Sequence, residues 1–278
     1  MNTFNRSKYT LSVALLVLGM AAHAAPLPRP DHIVVVIEEN RSYRQIMDED
    51  NRDSYIHALA KRGVLFTNSF GITHPSQPNY LAIFSGSTQG VSNNACPLSF
   101  YSDNLASALL NAGLSFASYA ESLPGVGDSS CTIGAYRRKH NPLASWQDTR
   151  VSEKLNRPFA EFPGNFGDLP TVAFVIPNQD HDMHDGSFAE ADNWLKINIA
   201  PYVDWAMKNN SLLILTWDED NYQTNNHVAT ILVGSMLTAG KSDQRINHYS
   251  VLRTLLDFYG LPGLGNSADA ESVQGVWR

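Results

Sequence analysis

Apolar runs along this chain alternate with segments of helical period, and charged residues gather where the apolar runs stop. Ile33-Val34-Val35-Val36-Ile37, five β-branched residues in a row, predict a central strand buried on both faces. Further strands are expected over Val64–Phe70, Leu114–Tyr119, Val172–Ile176, Leu212–Thr216 and Val228–Val233, the last opened by His227. Helices are expected between them. One covers Asp53–Arg62, with Tyr55, Ile56 and Leu59 on one side and Gly63 as its stop; another covers Asp103–Asn111, capped by Ser102 or Asp103. A third covers Phe188–Lys208, broken or kinked at Pro201, and a fourth runs from Asn247 to Tyr259. Strands alternating with helices predict an α/β fold on a parallel sheet.

The stretch Thr73–Tyr80 stands between a strand and a helix. Pro78 suits a first helical turn and Gly86 suits its end. Ser76 therefore belongs on a strand-to-helix turn, where free backbone N–H groups favour an anion. Ser76 is either an N-cap or a nucleophile beside an anion site. The residues at the ends of the other strands bear on that choice. Ile37 is followed by Glu38-Glu39-Asn40-Arg41-Ser42, and Thr216 by Trp217-Asp218-Glu219-Asp220. Ile176 is followed by Pro177-Asn178-Gln179-Asp180-His181-Asp182-Met183-His184-Asp185, where caps explain the aspartates but not the histidines. In a parallel sheet these four ends meet at one edge, with His248 near the start of the last helix. A hydroxyl, several carboxylates and histidines in one cleft describe a metal-assisted phosphoryl-transfer site.

Net charge −7 over 278 residues argues against a nucleic-acid partner and against stable association with an anionic membrane. Arg6 and Lys8 precede an apolar run and Ala22-His23-Ala24, so residues 1–24 are expected to be an export signal and 25–278 a single domain. Export implies a periplasmic or secreted protein. Cys96 and Cys131 are then expected to pair, free buried thiols being the alternative. Residues 121–146 lack a clear period and predict a long loop carrying Arg137-Arg138-Lys139-His140, either a solvated basic face or a phosphate-binding run.

The Glu38–Ser42 segment, the Trp217-Asp218-Glu219 segment and Asn247-His248-Tyr249-Ser250 resemble the bacterial phosphoesterase family, which holds acid phosphatases and non-specific phospholipases C. The resemblance implies an alkaline-phosphatase-like three-layer sandwich with a central, mostly parallel sheet. It implies Ser76 as nucleophile and a phosphoseryl intermediate, with His184 and His248 catalytic. Metal would fall to Glu39, Asn40, Asp218, Glu219 and Asp180, and substrate contacts to Lys139, His140, Asn79 and His227. One or two divalent ions are implied: Mg, Ca, Mn or Zn. The chain departs from two-zinc relatives, which carry Asp-His where it has Asp218-Glu219, and an oxygen-rich set suits a harder cation. The expected substrate is a small phosphomonoester, with phospholipase C action on phospholipids as the alternative.

Overall fold

The computed structural model describes Met1 and residues 27–278; the expected export segment falls outside the described residues. In chain order the strands are β1 (His32–Glu38), β2 (Val64–Phe70), β3 (Phe116–Ala120), β4 (Thr132–Ile133), β5 (Tyr136–Arg137), β6 (Asn156–Pro158), β7 (Val172–Ile176), β8 (Ser211–Trp217), β9 (His227–Gly234), β10 (Gly240–Ser242) and β11 (Ile246–Asn247). The helices are α1 (Tyr43–Ile46), α2 (Tyr55–Arg62), α3 (Ser76–Ser85), α4 (Leu105–Asn111), α5 (Phe188–Asn198), α6 (Ala200–Ala206) and α7 (His248–Asp257).

Nine strands form the main sheet, in the order β10-β2-β9-β8-β1-β7-β3-β6 with β11 also on β2. β1 pairs in parallel with both β7 and β8. β9 runs antiparallel between β8 and β2, so β2 points the same way as β8. The carboxyl ends of β1, β2, β7 and β8 therefore share one edge.

The period of two along β1 divides the core. Ile33, Val35 and Ile37 pack with residues of α3, α4 and α7, whereas Val34 and Val36 pack with α2, α5 and α6. This gives the three-layer sandwich with a mostly parallel sheet. Among the described residues no helix is long and apolar enough to cross a membrane.

Several elements differ from expectation. α4 is capped by Asn104, not Ser102 or Asp103, through a reciprocal box with Ser107. The segment 188–208 is two helices that part at Ile199, with Pro201 in the first turn of the second, where its missing N–H costs nothing. Residues 121–146 are not bare loop: β4 and β5 pair in a small ladder, and short 3₁₀ turns follow. The Cys96–Cys131 disulfide closes this region with a Cα–Cα distance of 5.8 Å.

Two glycines shape the functional edge. Gly86 ends α3 in the left-handed region at φ 73°, and a side chain there would run into the Leu264 carbonyl. Gly71, just past β2, would meet the Asp218 carbonyl and the Asn226 side chain if it carried a Cβ. Its absence of a side chain lets the chain leading to Ser76 lie directly against the end of β8.

Candidate active site

Ser76 opens α3, with Pro75 as the capping residue. The cap carries no side-chain hydrogen bond, and Ser76 does not cap the helix; its hydroxyl points the other way. Ser76 Oγ donates to Glu39 Oε2 at 2.9 Å and lies 3.1 Å from Glu219 Oε1, a second acceptor. Glu39 directly follows β1, and Glu219 stands two residues past β8. Asn79, one turn on, holds the approach to Ser76. Its Oδ1 accepts from Ile72 N and Thr73 N, and its Nδ2 donates to the carbonyls of Thr73 and Pro75.

Around this hydroxyl the charges alternate. His140 Nε2 is 3.0 Å from Glu39 Oε1, and His140 Nδ1 is 3.1 Å from Asp182 Oδ2, all three side chains being buried. His74 Nδ1 reaches Glu219 Oε2 at 2.5 Å. His184 lies beside His140, their ring centroids 5.7 Å apart. Lys139 Nζ is 3.5 Å from His184 Nε2, and Asp185 Oδ1 is 2.7 Å from His184 Nδ1. The Tyr80 ring stacks on His140 at 5.2 Å.

The titration of these groups reflects burial set against neighbours. Burial raises Asp218 well above the carboxylate range, and the charges of Glu39 and Glu219 add to it. Burial also works against Glu39, but the adjacent His140 charge, with that of Lys139, outweighs it and holds the carboxyl at about 2. Burial lowers His140, yet Glu39 and Asp182 more than offset this and raise it. His248 is different. Burial without a counter-charge drops it to about 4, so it is neutral, and Nε2 donates to the Asp218 carbonyl at 2.6 Å.

The donor set fits a divalent cation. Glu39 and Glu219 bring two carboxylates to one hydroxyl, and beside them Asp218 Oδ2 is buried with no partner. Glu39 Oε1 and His140 Nε2 are 3.0 Å apart yet lack hydrogen-bond geometry towards each other. A buried acceptor left unpaired costs about 1–3 kcal/mol unless something else satisfies it. The oxygen-rich group around Ser76 suits a hard cation. One atom each from Glu39, His140 and His184 also falls within 4.8 Å of the others, a grouping that could take a softer ion.

The structure brings together Ser76, Glu39, Asp218, Glu219, Lys139, His140 and His184, and Asn40 joins them through its backbone N–H, which donates to Asp218 Oδ1 at 3.2 Å. It separates four expected residues from direct chemistry. Asp180 is exposed, and Asp182 holds the place expected for it, because the turn after β7 directs only that carboxylate inward. Asn79 has both amide atoms committed to the turn, so it has none left for a substrate. His227 donates from Nε2 to the Thr67 carbonyl and is stacked between Tyr43 and Phe70. His248 lies beneath Asp218 and supports it. Sequence reasoning missed His74 and Asp182 as site residues. Both stood in segments already singled out, but nothing in the sequence ranks one aspartate of 180–185 above another.

The basic run divides in the same way. Arg138 is buried and donates to the carbonyls of Ser129, Leu98 and Ala144, tying the loop together. Only Lys139 and His140 face the cleft.

Such a fold, carrying a hydroxyl between carboxylates at the strand edge, has the alkaline phosphatase superfamily architecture. Solved structures agree on the fold. A Vibrio parahaemolyticus protein in the alkaline phosphatase superfamily aligns with TM-score 0.58 at 14% identity, over 90% of this chain and 72% of that one. The phosphonate monoester hydrolase of Silicibacter pomeroyi aligns with TM-score 0.56 at 11% identity, over 90% and 76%. Among curated relatives, a Mycobacterium tuberculosis phosphatidylinositol-3-phosphatase is 44% identical over 263 residues, 94% of this chain and 86% of its own. An Aspergillus fumigatus acid phosphatase is 32% identical over 248 residues, 82% of this chain but 54% of its own length. The Phosphoesterase family model matches residues 49–262, and the chain belongs to that family. It is a phosphoric ester hydrolase.

Proposed function

We propose that the protein is an exported, metal-dependent phosphomonoesterase that works through a phosphoserine at Ser76. The observation that carries this reading is the pair of carboxylates facing one hydroxyl, Glu39 at 2.9 Å and Glu219 at 3.1 Å. In the first step Ser76 Oγ attacks phosphorus, its proton passes to one of these carboxylates, and the bond to the leaving oxygen breaks. In the second, water displaces Ser76 Oγ from phosphorus and inorganic phosphate leaves. Glu39, Asn40, Asp218 and Glu219 would hold the cation, which supplies a lowered pKa for the hydroxyl and neutralises charge on the phosphoryl oxygens. His140, kept cationic by Glu39 and Asp182, and Lys139 supply positive charge to the phosphate. His184, oriented by Asp185, is the leaving-group acid.

The disulfide supports an oxidising compartment and hence export to the periplasm or beyond. The single continuous sheet supports reading 25–278 as one domain. A monoester is favoured over phospholipase C action because two cationic groups, Lys139 and His140, flank the cleft. A relative bears the name phosphatidylinositol-3-phosphatase, so a lipid-borne monoester is within this reading. The acidic balance continues to speak against nucleic acid as a partner.

The test is to quench the enzyme in mid-turnover with p-nitrophenyl phosphate and map phosphorylation by mass spectrometry. A phosphoryl group on Ser76, absent after chelation, is expected. Steady turnover with no modified serine would exclude the covalent route.

A further inference from the structure

The cleft has a second half that the phosphoryl chemistry does not use. Beyond Glu219 the chain forms a tight loop around Asp220. That carboxylate accepts from Tyr222 N at 2.7 Å, Thr224 N at 2.6 Å, Thr224 Oγ1 at 2.6 Å and Asn226 N at 3.2 Å. Held this way, Tyr222, Asn225 and Asn226 all adopt positive φ, 65°, 54° and 62°. For Tyr222 this is costly, and such strain persists only where the surroundings fix it. Its effect is to turn an aromatic ring out at the mouth of the cleft. Tyr222 is 67% exposed and stacks on His74 with centroids 3.9 Å apart and planes 21° apart. His74 is hydrogen-bonded to Glu219, which in turn faces Ser76, so the stacked pair is two contacts from the reacting hydroxyl.

A cavity of about 480 Å³ opens here, lined by Thr73, His74, Tyr222, Gln223 and Asn225 among others. That volume is in the range of small-molecule sites. Its chemistry is the opposite of the phosphate side. Among the described residues no lysine or arginine lines it, and Asp220 adds negative charge, so the part of the leaving group seated here is uncharged. Gln223 and Asn225 commit their side-chain amides to no other described residue, leaving both donors and acceptors free. One aromatic face with unpaired amides around it matches a neutral ring that has an apolar face and a hydroxylated rim.

We infer that the Tyr222 loop, residues 221–226, is the leaving-group subsite and that it takes a cyclic polyol, as in an inositol or hexose phosphomonoester. Tyr222 packs on the C–H face of the ring, and Gln223 and Asn225 bond its hydroxyls. This rests on the phosphomonoesterase reading above and adds to it the leaving group and the residues that select it.

The test uses the purified full-length mature protein and compares kcat/KM for myo-inositol 1-phosphate, methyl phosphate, phenyl phosphate and AMP in wild type, Tyr222→Ala, Tyr222→Phe and Gln223→Ala. The ratio of inositol phosphate to methyl phosphate should fall about tenfold in Tyr222→Ala, stay near wild type in Tyr222→Phe and fall severalfold in Gln223→Ala. A short-chain phosphatidylinositol 3-phosphate should show the same fall; whichever of lipid and free polyol has the higher wild-type kcat/KM is the source of the ring. An unchanged ratio, or a larger loss on phenyl phosphate or AMP than on the polyol, overturns the subsite while leaving the phosphatase reading intact. Absence of turnover on every monoester overturns both.

Discussion

Glu39 and Asp218 each follow directly on the last residue of a buried parallel strand, whereas His140 arrives from a 3₁₀ turn in a long segment without regular period and Asp182 from the turn after β7. The sheet wall of the cleft is therefore fixed by register: β1 and β8 pair from His32–Ser211 through Glu38–Trp217, which sets Glu39 beside Asp218 and Glu219. The loop wall has no such ladder. It is held by the Cys96–Cys131 bridge, by Arg138 bonded to three carbonyls and by buried Trp146, whose Nε1 donates to the Ser102 carbonyl. One wall brings the nucleophile with Glu39, Asp218 and Glu219, and the other brings His140, Lys139 and the Asp182 carboxylate that pairs with His140. Charge balance in this site thus depends on two walls of different robustness.

The largest effect should come from the sheet wall. Ser76→Ala should keep the fold and lower kcat by about four orders of magnitude or more, as expected for a nucleophile acting as part of a unit. Activity on p-nitrophenyl phosphate alongside a thermal melt checks this, and a folded variant keeping a tenth of wild-type kcat would remove Ser76 from its role. Next, Asp218→Asn should cost about 10²–10³ in kcat/KM, the scale of losing one charged group that stabilises the transition state, and chelation should mimic it. Refilling the chelated enzyme with Mg, Ca, Mn or Zn and measuring both bound metal and activity tests the pairing of the two effects; full activity in metal-free protein would break it.

On the loop wall, His140→Gln should cost roughly 10²-fold in kcat, since the glutamine keeps a donor but loses the charge. Equal loss in His140→Gln and Ser76→Ala would erase the distinction between walls. Replacing both cysteines by serine should lower stability by about 2–4 kcal/mol, from the loop-closure term for a 35-residue separation. Denaturant melts measure it, and the companion expectation is a rise in KM larger than the fall in kcat. The smallest effect belongs to Asp180→Asn, which should change kcat/KM less than about twofold because the side chain is exposed, as surface substitutions generally do little. Asp182→Asn, two residues on, should cost at least about ten times more, since that carboxylate is buried against His140.

Residue type and periodicity were enough for the layer architecture and the sheet wall. β-branched runs buried on both faces can only be interior strands of a covered sheet, and acids placed directly after them have no packing reason to be there. Those two facts supplied β1, β2, β3, β7, β8 and β9, and the shared edge that gathers Glu39, Asp218 and Glu219, while Ser76 was legible from its strand-to-helix turn; the short β4, β5, β6, β10 and β11 carry no such run. The expectation of a disulfide came from an even cysteine count in a chain read as exported. The rest needed the folded molecule. Folding chose Asp182 over Asp180, turned Asn79 and His248 into supports, put His227 in an aromatic stack away from Ser76, and drew His74 and Tyr222 into the cleft. The reason is physical. A strand fixes the direction of each side chain by its period of two, so the residue next after it is aimed by local geometry. A turn or long loop has no period, and the direction of its side chains is set by distant bonds, such as those of Arg138 and Asp220, that sequence spacing does not encode.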